Sequence, residues 1–128
     1  MRVTLLRRLR AWIPPVVLMA AIFVLSAQPD PKSGLGAIDL VGRKLVHFAE
    51  YSLLAFLWWR ALVGRTASAS APLAALLMPS AYAASDEYHQ SFVAGRHASP
   101  VDWAIDVAGA ATAIVAVRRF ARARTLSA

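Results

Sequence analysis

Four stretches of seventeen to nineteen residues, 11–27, 45–63, 66–84 and 101–117, are apolar over most of their length. At a rise of about 1.5 Å per residue each helix would measure roughly 25–29 Å, close to the hydrocarbon thickness of a bilayer. The rest of the chain offers little with which to build a soluble surface. Hydrophobic residues make up 59% of the 128 positions and charged residues 16%, where a soluble domain has about half and a quarter. These features predict an all-α, polytopic membrane protein. The expected fold is one domain, residues 1–128, forming a bundle of four transmembrane helices, with basic ends at 1–10 and 118–128.

The charges predict how such a bundle would sit. Arg2, Arg7, Arg8 and Arg10 precede the first segment, Arg60 and Arg65 flank the second turn, and Arg118, Arg119, Arg122 and Arg124 follow the fourth. With both termini cytoplasmic, ten of the fourteen basic residues lie inside, as the Lys/Arg bias of multi-pass proteins requires. All seven acids (Asp30, Asp39, Glu50, Asp86, Glu87, Asp102, Asp106) then fall on the outer half, with Lys32, Arg43, Lys44 and Arg96. The expected location is the cytoplasmic (inner) membrane. Ser26-Ala27-Gln28 makes a poor small-x-small cleavage site, so the first segment is expected to stay as an anchor. The net charge of +7 does not point to nucleic acid, because the basic residues sit at the ends and in one loop without interleaved aromatics. The absence of cysteine excludes disulfides and thiolate chemistry.

Against this apolar background the ionisable groups are functional candidates, since holding them at membrane depth is costly. Lys44, His47 and Tyr51 fall on one stripe at helical spacing, with Glu50 to one side. If the third helix continues past residue 84, Asp86, His89 and Gln90 share a face and Glu87 is displaced from it. A carboxylate three or four residues from a histidine can fix its tautomer and raise its basicity, as a general base requires. His89, Glu87, Asp86 and His47 are therefore the candidates for proton transfer. Arg96, in a Gly-Arg-His turn, is suited either to internal ion pairing or to fork-like binding of a carboxylate or phosphate. Ser99-Pro100-Val101-Asp102 has the form of a helix start, with Ser99 as N-cap and Asp102 closing a capping box. Asp106 lies one turn deeper beside Gly109, Ala110 and Ala113. Small residues there would let a neighbouring helix approach closely, and the aspartate needs a partner, for which Arg96, Lys44 and His47 are candidates. The candidates for ligand contact are Arg96, Gln90, Lys44, Glu50, Tyr51, Asp102 and Asp106. No established zinc spacing, P-loop, dinucleotide fingerprint or nucleophile elbow is present, so no metal or cofactor is expected.

The chain resembles the VanZ-like family of small bacterial membrane proteins, named for an accessory teicoplanin-resistance protein. The resemblance rests on Leu25-Ser26-Ala27-Gln28, on Lys44 to Leu54, on Asp86-Glu87-Tyr88-His89-Gln90 running on to Gly95-Arg96, and on Ser99 to Gly109. It covers roughly residues 23 to 116. Arg43-Lys44 departs from the Asp-Lys that the family often carries at this point, which removes one possible salt-bridge acid. The resemblance implies a four-helix membrane domain of the cell envelope and a link to glycopeptide resistance in some members, without a settled reaction.

Three readings remain open: a membrane enzyme acting on an envelope lipid or lipid-linked precursor; a non-catalytic binder of such a molecule or of a glycopeptide-type antibiotic; and an internal ion-pair network or partner-binding surface. The partners expected are membrane lipids, an amphiphilic envelope molecule or antibiotic, and a second copy of the chain.

Overall fold

The computed structural model describes residue 6 and residues 9–29, 34–66 and 69–126. Arg2, Arg7, Arg8, Asp30 and Lys32 lie outside the described residues. Four helices form the fold: α1 (Ile13–Ser26), α2 (Ala37–Leu62), α3 (Ser70–Gln90) and α4 (Pro100–Leu126), with no strand among the described residues. Pro14 and Pro15 fall in the first turn of α1, where the missing N–H groups have no intrahelical acceptor in any case.

Three of the helices are longer than the apolar stretches predict. α2 starts at Ala37 rather than near residue 45, α3 runs on through Asp86 to Gln90, and α4 continues to Leu126. The added turns carry the polar residues, whose orphan groups are met by side-chain contacts described below. They also alter which helices qualify as spans. Among the described residues α4 alone is long and apolar enough to cross a membrane, with mean hydropathy 1.4 over its best window, whereas α1 is apolar but has 14 residues. Polar groups at the beginning of α2 and the end of α3 dilute their hydropathy.

Contacts between helix ends give the arrangement. Trp12, just before α1, packs edge-on against Trp58 near the end of α2, with centroids 5.6 Å apart. At the opposite end, Ser26 of α1 meets Asp86 of α3, and Lys44 of α2 meets Asp102 of α4. α1 and α3 therefore run one way and α2 and α4 the other. Asp39, Glu50, Asp86, Glu87, Asp102 and Asp106 all belong to the end formed by the close of α1, the opening of α2, the close of α3 and the opening of α4.

The parallel pair α2–α4 forms the tightest seam. A Cβ on Gly109 would lie 2.3 Å from the Phe48 carbonyl oxygen, so only glycine permits this approach. The Ser52 hydroxyl lies 2.8 Å from both the Phe48 and the Gly109 carbonyl oxygens, bridging the two backbones. Tyr51, Leu54, Ala55, Ala75, Ala83 and Ala110 are fully buried in the core. The exterior is apolar instead: Val17, Val24, Leu45, Val46 and Leu73 are each more than half exposed. Large exposed apolar patches are uncommon on water-soluble monomers.

Gly109→Ala is expected to destabilise the bundle by about 1–3 kcal/mol through overpacking. Gly42→Ala, where the added Cβ meets open space, should stabilise by roughly 0.5–1 kcal/mol. Thermal unfolding of both variants in one detergent checks this; equal melting temperatures would contradict the seam.

Candidate functional site

The acidic end of the bundle holds its polar groups by contacts between residues far apart in the chain. Asp86 is 3% exposed and has both oxygens engaged: Ser26 Oγ donates to Oδ1 at 2.5 Å and Gln90 Nε2 to Oδ2 at 2.9 Å. The second contact spans one helical turn, which requires α3 to continue to Gln90. Gln90 Oε1 in turn accepts from an Arg96 Nη at 3.2 Å, and Arg96 Nε donates to the Gln28 carbonyl at 3.0 Å. Arg96 is delivered by Gly95, whose φ of +79° lies in the left-handed region that favours glycine. Among the described residues Arg96 makes no ion pair with Asp86, Glu87 or Asp102; it is oriented by neutral acceptors and keeps its charge uncompensated by a direct partner.

The start of α4 shows a division of labour that the sequence spacing does not reveal. Ser99 Oγ caps the Asp102 N–H at 3.3 Å, as the capping box predicts. The Ser99 N–H, however, donates to Glu87 Oε2 at 2.8 Å. Glu87 takes the acceptor role predicted for Asp102, and Asp102 instead pairs with Lys44. Burial pushes the Glu87 carboxyl above its usual range, with the Ser99 N–H pulling the other way and the nearby Asp102 adding to the rise.

One turn deeper on the same seam, His47 Nδ1 lies 3.3 Å from Asp106 Oδ1. Asp106 is 1% exposed, and neither of its oxygens has a hydrogen bond of good geometry among the described residues. Of the three candidate partners, His47 is the one that stands opposite, within ion-pair distance but off the line of a hydrogen bond. A buried carboxylate so placed depends on the imidazole beside it.

Two cavities meet at these groups. The first, about 340 Å³, lies between α2 and α4 beneath the 95–99 loop, with Arg43, Lys44, His47, Gln90, Arg96, His97 and Asp102 among its walls. The second, about 570 Å³, lies between α1 and α2 with Asp86 and Arg96 at its base. Its walls combine Asp39, Arg43, His47 and Glu50 with the apolar Ile22, Leu25, Ile38 and Val46. Arg43, His47 and Arg96 line both. Glu50, half-buried, has no hydrogen bond or ion pair among the described residues.

Not every sequence candidate reaches these cavities. His89 stacks on Phe23 of α1, with ring centroids 4.3 Å apart and planes 17° apart, and its buried Nδ1 has no partner among the described residues. It lies on the helix flank facing α1 and lines neither cavity. Tyr51 is 0% exposed with an unpartnered hydroxyl, a core residue behind the cavities. Glu87 is committed to the α4 cap. His97, in the 95–99 loop, lines the first cavity. Ser26 and Gln28 contribute contacts that sequence reasoning missed; their place in the Leu25-Ser26-Ala27-Gln28 run is the one signal that could have found them.

A family model described as VanZ/LLP1 matches residues 6–121 of the chain. No curated protein and no solved structure matches it.

Glu87→Ala removes the Ser99 acceptor and should cost about 1–3 kcal/mol, while Glu87→Gln, which can still accept, should cost less. Because the folded carboxyl titrates above its ordinary value, its contribution is fully present below the unfolded value and is lost as pH rises through the folded one. Stability of the parent chain relative to Glu87→Gln should therefore fall as pH is raised from about 4 toward neutrality, starting below the ordinary Glu value. Melting curves across that range check the sign.

Proposed function

The chain belongs to the VanZ/LLP1 family, and from that premise we propose that it is a multi-pass protein of the bacterial cytoplasmic membrane whose acidic end is an outward-facing site for the polar head of an amphiphilic envelope molecule. An envelope lipid, a lipid-linked precursor and a glycopeptide-type antibiotic all fit this description. Both termini then face the cytoplasm, in keeping with the basic residues at the opposite end of the bundle.

One observation carries the reading. His47 and Arg96 stand at the junction of two cavities, one of which lies between α1 and α2 with apolar walls. A ligand there could lodge a polar head against fixed charges and leave an apolar tail toward lipid. The network through Ser26, Asp86, Gln90 and Arg96 serves this site by presenting the guanidinium, and preorganised charge binds with less loss on ordering. The same network ties α1 to α3, so structural and recognition roles coincide in these residues.

A second reading, catalysis, is favoured by the His47–Asp106 contact. A buried carboxylate at Nδ1 leaves Nε2 as the nitrogen available to a ligand, the arrangement of a general base. His47 fits that role better than His89, whose ring lies against Phe23.

Two measurements test the proposal. A cysteine introduced at position 94, the sole thiol in the chain, should react with a membrane-impermeant maleimide from the outer side; reaction only after the inner membrane is permeabilised would overturn the orientation. Arg96→Ala should weaken retention of envelope lipids by about tenfold or more, the value of one lost charge-assisted hydrogen bond. Native mass spectrometry reads retention, and unchanged retention in a protein of unchanged melting temperature would count against the site. Conversion of an added lipid that depends on His47 would decide for the catalytic reading.

A further inference from the structure

The two cavities differ in charge. Around the first, Arg43, Lys44, Arg96 and two histidines face a single carboxylate, Asp102, which Lys44 already occupies. Around the second, Asp39, Glu50 and Asp86 match Arg43, Arg96 and His47 in number. Asp86 is satisfied by Ser26 and Gln90, whereas Glu50 is a half-buried carboxylate with no hydrogen bond or ion pair among the described residues, in a wall that also carries Ile22, Leu25, Ile38 and Val46. Such a group is costly at membrane depth unless a cation joins it.

Resting on the amphiphile site proposed above, we propose that the ligand is a zwitterionic lipid whose head carries a phosphodiester and a primary ammonium. The phosphodiester is held at Arg96 in the first, cationic cavity and the ammonium at Glu50 in the second. The shared wall of Arg43, His47 and Arg96 allows one head to straddle both cavities. Charges of both signs placed in register discriminate between heads more strongly than they raise affinity.

The exit for the tail is also visible. Ile38 and Gly42 line the second cavity and also an adjoining furrow of about 410 Å³ walled by Ala37, Val41 and Leu45. The furrow runs along the outer flank of α2, where Ile38 is 70% and Leu45 64% exposed. An acyl chain leaving the head site would lie there without crossing the helix seam. A head-only ligand would leave this furrow unused, so the lipid, rather than free phosphoethanolamine, is the expected occupant.

The test uses delipidated full-length protein in detergent, titrated with phosphatidylethanolamine, with phosphatidylglycerol of the same chains, and with soluble phosphoethanolamine, read by native mass spectrometry. The ethanolamine lipid should bind at least about tenfold more tightly than the glycerol lipid, the ratio expected from one added charge-assisted contact. Soluble phosphoethanolamine should compete only weakly. Glu50→Gln should abolish the difference by weakening the ethanolamine lipid while leaving the glycerol lipid unchanged; the comparison on the unaltered chain decides the matter if that variant does not fold. Equal binding of the two lipids overturns this inference and leaves the amphiphile site standing. Competition by phosphoethanolamine as strong as by the lipid overturns the role of the tail. Binding of neither lipid overturns this inference and leaves the site to the lipid-linked precursors and antibiotics named above.

Discussion

The bundle depends on the approach of α2 to α4 at Gly109. With no Cβ to separate the backbones, and with the Ser52 hydroxyl bridging the Phe48 and Gly109 carbonyls, the two helices lock in a parallel register. That register alone brings His47 to Asp106 and Lys44 to Asp102. In lipid, apolar side chains gain little by leaving the bilayer for a helix interface, so close packing and polar contacts must supply the specificity. Here they do so along one seam: charge toward the openings of α2 and α4, at Lys44–Asp102 and His47–Asp106, and packing beyond them at Gly109.

The polar end follows from that seam and from a second tie between α1 and α3. Ser26 holds Asp86, Asp86 holds Gln90, Gln90 holds Arg96, and Arg96 reaches back to the carbonyl of Gln28. The chain of contacts closes on itself around the junction of two cavities. Its consequence is a guanidinium whose orientation is set by neutral oxygens, leaving its charge to act on whatever enters. Glu87, by capping the Ser99 N–H, frees Asp102 for Lys44 and so helps to balance the mouth of the first cavity. Groups that look interchangeable in composition are thus divided among capping, orientation and, on the proposal made above, recognition.

Much of this was legible in the sequence, and the parts that were not have physical reasons. The four apolar stretches and the turn signals between them mark the four helices. The small residues after Asp106 mark a close seam, and the Ser99-Pro100 pair marks the start of α4. The early start of α2 was not apparent and the extension of α3 was legible only as a condition, because their added turns are polar and are stabilised by partners distant in the chain. The same holds for the Ser26–Asp86 and Arg96–Gln28 contacts, which join residues 60 and 68 positions apart with no local pattern. His89 shares a helix with Asp86, yet its ring lies on Phe23; helical periodicity fixes a face but not which neighbour meets it. The VanZ-like resemblance named the family correctly, while the four-span topology remains a proposal that the hydropathy of α4 and the exposed apolar flanks support.

The central claim is that the junction at His47 and Arg96 receives an amphiphile from the outer leaflet. An experimental structure of the protein in a disc of its own membrane lipids tests it most directly. The account predicts lipid density with its head between His47, Arg96 and Glu50 and its tail along the Ile38–Val41–Leu45 flank of α2. Ordered water filling both cavities, with Arg96 and Glu50 closing on each other and lipid confined to the bundle's annulus, would contradict it.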